Sequence, residues 1–272
     1  MIDGILALGL AGLLGLVVGS FLNVVIHRLP LMLQAQWDAE TMATPPNAAP
    51  FNLAVPRSHC PHCHHPLRWQ DNIPLFSFIA LRGRCAHCQA PIAWRYPAIE
   101  LITAGLFTGV VALHGWGLEA MAWAGFSAAL VTLAAIDADT RLLPDAITQP
   151  LVWAGLLAAS LGLSGIGLSE ALWGAAAGYL FLWAVFWLFK GLTGKEGMGQ
   201  GDFKLLAALG AWLGWPALLS LVLIASLIGV LAGLSLKWRG LLSENGEMAF
   251  GPYLVLAGLW VMAFGPLPWF LI

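Results

Sequence analysis

Apolar residues in this chain fall in long unbroken runs, not in the alternating or one-in-three-or-four patterns of soluble elements. The runs lie at roughly 4–26, 97–113, 118–138, 146–163, 168–190, 203–215, 217–236 and 250–271. A helix crosses the hydrocarbon layer with about 20 apolar residues. The pattern therefore predicts an all-α polytopic membrane protein with about eight transmembrane helices. The run at 203–215 is short, about 20 Å as a helix. It reads either as a partial span or as one limb of an element kinked at Pro216. The first run is too long for the core of a signal peptide, has acidic Asp3 before it, and lacks a clear cleavage site. Residues 1–26 are accordingly read as a retained first helix.

The long polar interruption is 27–96. Its first part, LMLQAQWDAETMATPPNAAPFN, has no convincing period and predicts a partly helical or mobile linker. Its second part, about 57–96, holds many Cys and His and predicts a small compact lobe. Residues 97–272 read as a membrane core with short connections and no repeat of fixed period. Small residues in GLLGLVVGS and at Ala175-Ala176-Ala177-Gly178 are expected to serve helix packing, because they let backbones approach closely in lipid.

Composition agrees with the pattern. Of 272 residues, 60% are hydrophobic and only 10% charged, against about 25% charged in a soluble domain. With a net charge of −2 and no basic block, nothing points to nucleic acid. Charge placement adds topology. With eight spans, all twelve Lys and Arg fall on one side, and the loops near 114–117, 162–169 and 214–216 hold none. The positive-inside rule then puts both termini outside and the 27–96 loop in the cytoplasm.

All four cysteines occur as Cys60-x-x-Cys63 and Cys85-x-x-Cys88, 21 residues apart. Four thiolates in two such turns suit tetrahedral zinc, and a reducing cytoplasm disfavours disulfides. Free or redox-active thiols are the competing reading. A closed four-sulfur shell leaves no open position for catalysis, so the metal is expected to fold the lobe.

The acids carry the chemistry. Asp202 follows Gly197, Gly199 and Gly201 and opens the run FKLLAALGAWLG. It reads as a helix cap or as a catalytic acid beside a loop whose glycines admit another chain. Asp137 lies about one turn inside LVTLAAIDADTRLLPD, where an exposed cap does not sit; its plain alternative is a pair with Arg141 at i+4. Asp139 lies roughly 200° around the helix, so only one of the two can face Asp202, and the deeper Asp137 is favoured. Asp145, after Pro144, reads as a cap, and Lys204 as a charged helix end. Two nearby carboxylates resist ionising together. Such a pair can hydrolyse a peptide without a covalent intermediate or catalytic metal. No GxSxG, HExxH or Walker A string is present. A transporter or channel with functional intramembrane acids is the competing class.

The string GKEGMGQGDFKLLAALGAWLGW resembles the GxGD segment of bacterial type IV prepilin peptidases. AAIDADTRLLPDAIT resembles the family's other aspartate segment, and GSFLNVVIHRLP, the SxCPxC…GRCxxC lobe and RYPAIE are similar to its N-terminal part. The resemblance implies a multi-pass aspartyl endopeptidase of the bacterial inner membrane. Its substrates would be prepilins and type II secretion pseudopilins, losing basic leaders on the cytoplasmic side. Carried over, the catalytic pair is Asp137 and Asp202, with Gly199, Gly201, Asp139, Asp145 and Lys204 in support. The resemblance also implies N-methylation of the new N-terminus from S-adenosylmethionine, with which Gly83 is associated. Glu196 and the Asp139/Asp145 cluster are candidates to receive the leader's basic residues.

Overall fold

The computed structural model describes residues 2–41, 51–195, 197–240 and 248–268. Nine α-helices are found among them: α1 (Ile2–Thr41), α2 (Phe76–Ala80), α3 (Arg95–His114), α4 (Leu118–Thr140), α5 (Asp145–Ser160), α6 (Leu168–Thr193), α7 (Gln200–Leu213), α8 (Ala217–Trp238) and α9 (Gly251–Phe264). Strands are absent among the described residues; only two isolated β-bridges occur, both in the lobe. The fold is all-helical, as the apolar runs require. Five helices (α1, α3, α4, α6 and α8) are long and apolar enough to cross a membrane. The other three that occupy apolar runs, α5, α7 and α9, have 16, 14 and 14 residues. Helix length alone therefore marks five of the eight apolar runs as full spans among the described residues.

The chain divides into two compact units, 1–132 and 133–272, with the boundary inside α4. In the first unit, α1 packs along α3. A Cβ on Gly15 would lie 2.6 Å from Ala104 Cα, and one on Gly19 2.7 Å from Glu100 Cα. These are the small residues of GLLGLVVGS, and close backbone approach is why they are small. α1 is much longer than the expected 1–26: it continues through Pro30 to Thr41. Proline removes only one donor from the ladder, and the good helix formers beyond it carry the helix on. Arg28, buried on this helix, donates from Nη1 to the carbonyls of Asn52 and Leu53 (2.9 and 3.2 Å).

In the second unit, α7 is the hub. Leu205, Leu206, Ala208, Leu209 and Ala211 are wholly buried, and α7 packs against α5, α6, α8 and α9. A helix enclosed by protein need not match the lipid thickness, which accounts for its 14 residues. The crossing with α6 is backbone on backbone. A Cβ on Gly174 would collide with the Gly210 carbonyl, and one on Gly178 would lie 2.7 Å from the Leu206 carbonyl oxygen. Trp212 Nε1 donates to the Leu151 carbonyl of α5 at 2.9 Å. α7 and α8 are separate helices, not one kinked element. Gly214 ends α7 with φ +82°, and Pro216 sits at the α8 N-cap.

Candidate functional site

The last turn of α4 and the first turns of α7 and α9 meet around Leu143. A Cβ on Gly201 would lie 2.7 Å from Leu143 Cβ, and one on Gly251 3.3 Å from Leu143 Cδ2. That convergence brings Asp137 and Asp202 together. Both are buried, 4% and 6% exposed, whereas Asp139 is exposed. The two carboxylates are within electrostatic reach of each other.

Each acid has a distinct set of partners. Asp137 Oδ2 accepts the backbone N–H of Gly251 at 2.9 Å, where α9 begins. The α9 N-terminus thus points one of its free donors at the carboxylate. The Arg141 charge also acts on Asp137, so the i+4 pairing read from sequence is present in part. Asp202 is not the α7 N-cap; Gly199 is. Asp202 occupies the third helical position, in the first turn of α7, where free backbone donors favour a carboxylate. Its Oδ1 is buried and has no partner among the described residues.

The three glycines before Asp202 do not take left-handed angles. Close approach explains two of them: Gly201 against Leu143, and Gly197, where a Cβ would lie 2.7 Å from Phe189 Cδ1. Gly199 has no such crowding, its nearest neighbour being Asp202 Oδ2 at 3.8 Å. Asp145 departs from the capping role expected for it. Pro144 holds the cap position, and Asp145 instead accepts Lys204 Nζ at 2.5 and 2.7 Å, tying α5 to α7. Lys204 is therefore an ion-pair partner and not merely a charged helix end. Glu196 lies outside the described residues.

Sequence reasoning missed Gly251. The signal was the Gly-Pro pair in AFGPYL, a helix-start signature. Nothing local, however, says that this helix start faces Asp137.

The lobe belongs to the first unit. The Sγ atoms of Cys60, Cys63, Cys85 and Cys88 lie within 4.8 Å of one another. Four sulfurs at about 2.3 Å from one zinc stand roughly 3.8 Å apart, and Cys60 Sγ to Cys88 Sγ is 3.8 Å. The two cysteine turns are copies of each other. Cys60 N–H donates to His65 O and His64 N–H to Cys60 O; Cys85 N–H donates to Ala90 O and Gln89 N–H to Cys85 O. His64 and Gln89 both take left-handed angles, φ 55° and 60°. The shared string is Cys-x-His-Cys-x-x-Pro, a local repeat that a search for a fixed period passes over. Backbone N–H groups of Cys88 and His87 pull the Cys85 thiol down to about 7, which favours the thiolate a metal needs. The cluster can bind a metal ion.

Gly83 turns the chain between α2 and the second knuckle at φ +68°, with Phe78 Cζ 3.1 Å from where its Cβ would be. The protein's own ring fills that space, so Gly83 shapes the lobe.

A multi-pass helical membrane protein with two buried carboxylates at converging helix ends in one unit, and a four-cysteine lobe in the other, is the class that fold and site define. The description "Bacterial Peptidase A24 N-terminal domain" matches residues 13–114, and "Type IV leader peptidase family" matches 124–234. Relatives named prepilin leader peptidase/N-methyltransferase include one from Burkholderia pseudomallei (strain K96243), 50% identical over 95% of this chain and 85% of that protein. Others come from Stutzerimonas stutzeri, 50% identical over 91% of this chain and 87% of that protein, and Pseudomonas aeruginosa, 49% identical over 92% and 87%. The chain belongs to the type IV leader peptidase family. No solved structure matches it. Membership in a peptidase family leaves the transporter or channel reading without support.

Proposed function

We propose that this protein is an aspartic endopeptidase that removes the leader peptide of type IV prepilins and type II secretion pseudopilins, and that it N-methylates the new N-terminus. The observation that carries the peptidase reading is the buried pair Asp137 and Asp202, gathered around Leu143 from different helices. Asp137, holding the Gly251 N–H, is the better anion and takes a proton from the attacking water. Asp202 keeps a proton and gives it to the scissile carbonyl from Oδ1, the oxygen without another partner. The resulting tetrahedral diol collapses to a carboxylic acid and an amine, with the proton returned to the leaving nitrogen.

Gly199 and Gly201 shape the loop before Asp202, and the Asp145–Lys204 bridge holds α5 against α7 beside it. Cys60, Cys63, Cys85 and Cys88 would hold one structural zinc, whose contribution is to fold the 57–96 lobe. S-adenosylmethionine would supply the methyl group, a step with which Gly83 in the lobe is associated by family resemblance. The domain reading is a first helix at 1–26, a loop at 27–96 with the metal lobe, and a peptidase core at 97–272. The protein resides in the bacterial inner membrane with the 27–96 loop in the cytoplasm, because a chain that crosses at all eight apolar runs has its twelve Lys and Arg on that side.

The deciding experiment is leader removal from a prepilin by purified variants. Asp137→Asn and Asp202→Asn each abolish it while leaving the melting temperature in place, and Asp139→Asn keeps most activity. Activity in Asp137→Asn with loss in Asp139→Asn would move the dyad to the other acid.

A further inference from the structure

The lobe has an apolar face that its own unit does not cover. In α2, Phe76 and Ile79, one turn apart, are 69% and 64% exposed, and nearby Trp69 and Trp94 are each 76% exposed. Phe78 turns the other way. Its ring packs on Trp94 with centroids 4.9 Å apart and lies against Gly83. Exposed Arg68, Arg82 and Arg84 flank this stretch in sequence.

A hydrogen bond fixes the depth of this face. The backbone N–H of Leu75, immediately before α2, donates to Glu100 Oε2 at 2.7 Å. Glu100 lies five residues into α3, about 7.5 Å along its axis. α3 has 20 residues, about 30 Å, which is the thickness of the hydrocarbon layer and leaves no spare length. The Glu100 turn therefore sits inside the membrane boundary. The Glu100 turn is itself held in place, because Gly19 of α1 packs directly on the Glu100 backbone.

We propose that α2, with Trp69 and Trp94, is an interfacial anchor that inserts Phe76 and Ile79 at the headgroup–acyl boundary of an anionic lipid leaflet. Interfacial helices bury an apolar face about 5–10 Å into that boundary, the depth at which the Leu75–Glu100 bond holds this one. Tryptophans flank such sites because an amphipathic ring suits the headgroup level. Arg68, Arg82 and Arg84 supply the complement to lipid phosphates. The anchor fixes one edge of the metal lobe to the bilayer at a set height. It rests on α3 being a membrane span and not on the catalytic assignment.

The test places photoreactive benzoylphenylalanine at position 76 or 79 of the full chain. The protein is reconstituted in bilayer nanodiscs of phosphatidylcholine and phosphatidylglycerol, irradiated, and read by mass spectrometry. The expected result is a phospholipid adduct at both positions, enriched in phosphatidylglycerol over its share of the bilayer. Arg68→Gln and Arg82→Gln each lower that enrichment by up to about fivefold, the worth of one basic side chain at an anionic surface. Cross-links to another segment of this chain or to a second copy, or no adduct at all, would overturn the proposal. Adducts matching the bulk lipid ratio and indifferent to both arginines would overturn its anionic part. Leader removal is recorded on the same samples: adducts without cleavage sink the catalytic reading and leave this one standing.

Discussion

Gly251→Ala tests whether Asp137 is held for chemistry by the start of α9. A Cβ there would lie 2.6 Å from Asp137 Oδ2 and 3.1 Å from its Cγ. Real Cβ atoms essentially never come that close, so the carboxylate or the helix end must move by several tenths of an ångström. The backbone N–H survives the substitution, but its 2.9 Å bond to Oδ2 does not keep its geometry. A hydrogen bond to a charged group contributes about 1.5–3 kcal/mol. At 1.36 kcal/mol per factor of ten, the expected fall in kcat is about 10- to 150-fold. Because the change touches the acid and not the leader, KM should move by less than about threefold. The assay is steady-state cleavage of a purified prepilin, with melting temperature measured in the same detergent. Gly109→Ala is the control, since nothing lies within 4 Å of a Cβ there. Wild-type kcat in Gly251→Ala would refute the reasoning, and so would an equal loss in the control.

Three further outcomes follow from the geometry. Gly210→Ala sets a methyl against the Gly174 carbonyl, a backbone atom that cannot rotate away; stability should fall by about 1–3 kcal/mol, the usual cost of core overpacking, read as a lower melting temperature in detergent, and an unchanged melt would contradict the crossing described. Purified protein should carry about one zinc per chain, lost together in Cys60→Ser and Cys85→Ser. Metal binding should strengthen as pH rises through the thiol range, because the ligands must shed protons; metal analysis without zinc counts against the site. Lys204→Met removes a bridge whose partners are 29% and 53% exposed, so stability should fall by less than about 1 kcal/mol, and a larger loss by chemical denaturation would show that the pair is more than a surface tie.

Hydropathy and spacing made much of this legible. All eight apolar runs match helices within about three residues at the start, and the GxGD and CxxC strings lead to the buried acid and the sulfur cluster. What escaped depended on contacts remote in sequence. A hydrophobic run looks the same whether lipid or protein covers it, so α7 read as a short span when it is a hub enclosed by its neighbours. Pro30 sits where a first span ought to stop, yet α1 passes through it because nothing beyond competes with helix. Asp145 has the sequence context of a cap and the structure of an ion-pair partner, since its Lys204 is 59 residues away. Gly251 is 114 residues from Asp137, a separation no local pattern encodes.

The shortness of α7 constrains how the chain enters the membrane. A 14-residue helix with Asp202 and Lys204 among its first five residues is a poor autonomous insertion signal. Its entry is coupled to that of α6, whose Gly174 and Gly178 face it. α9, which supplies the Gly251 donor to Asp137, is made later still. Asp137 therefore gains the amide that holds it only after α9 has been made. A nascent chain halted before α9 carries both aspartates but leaves the Asp137 carboxylate without the Gly251 donor.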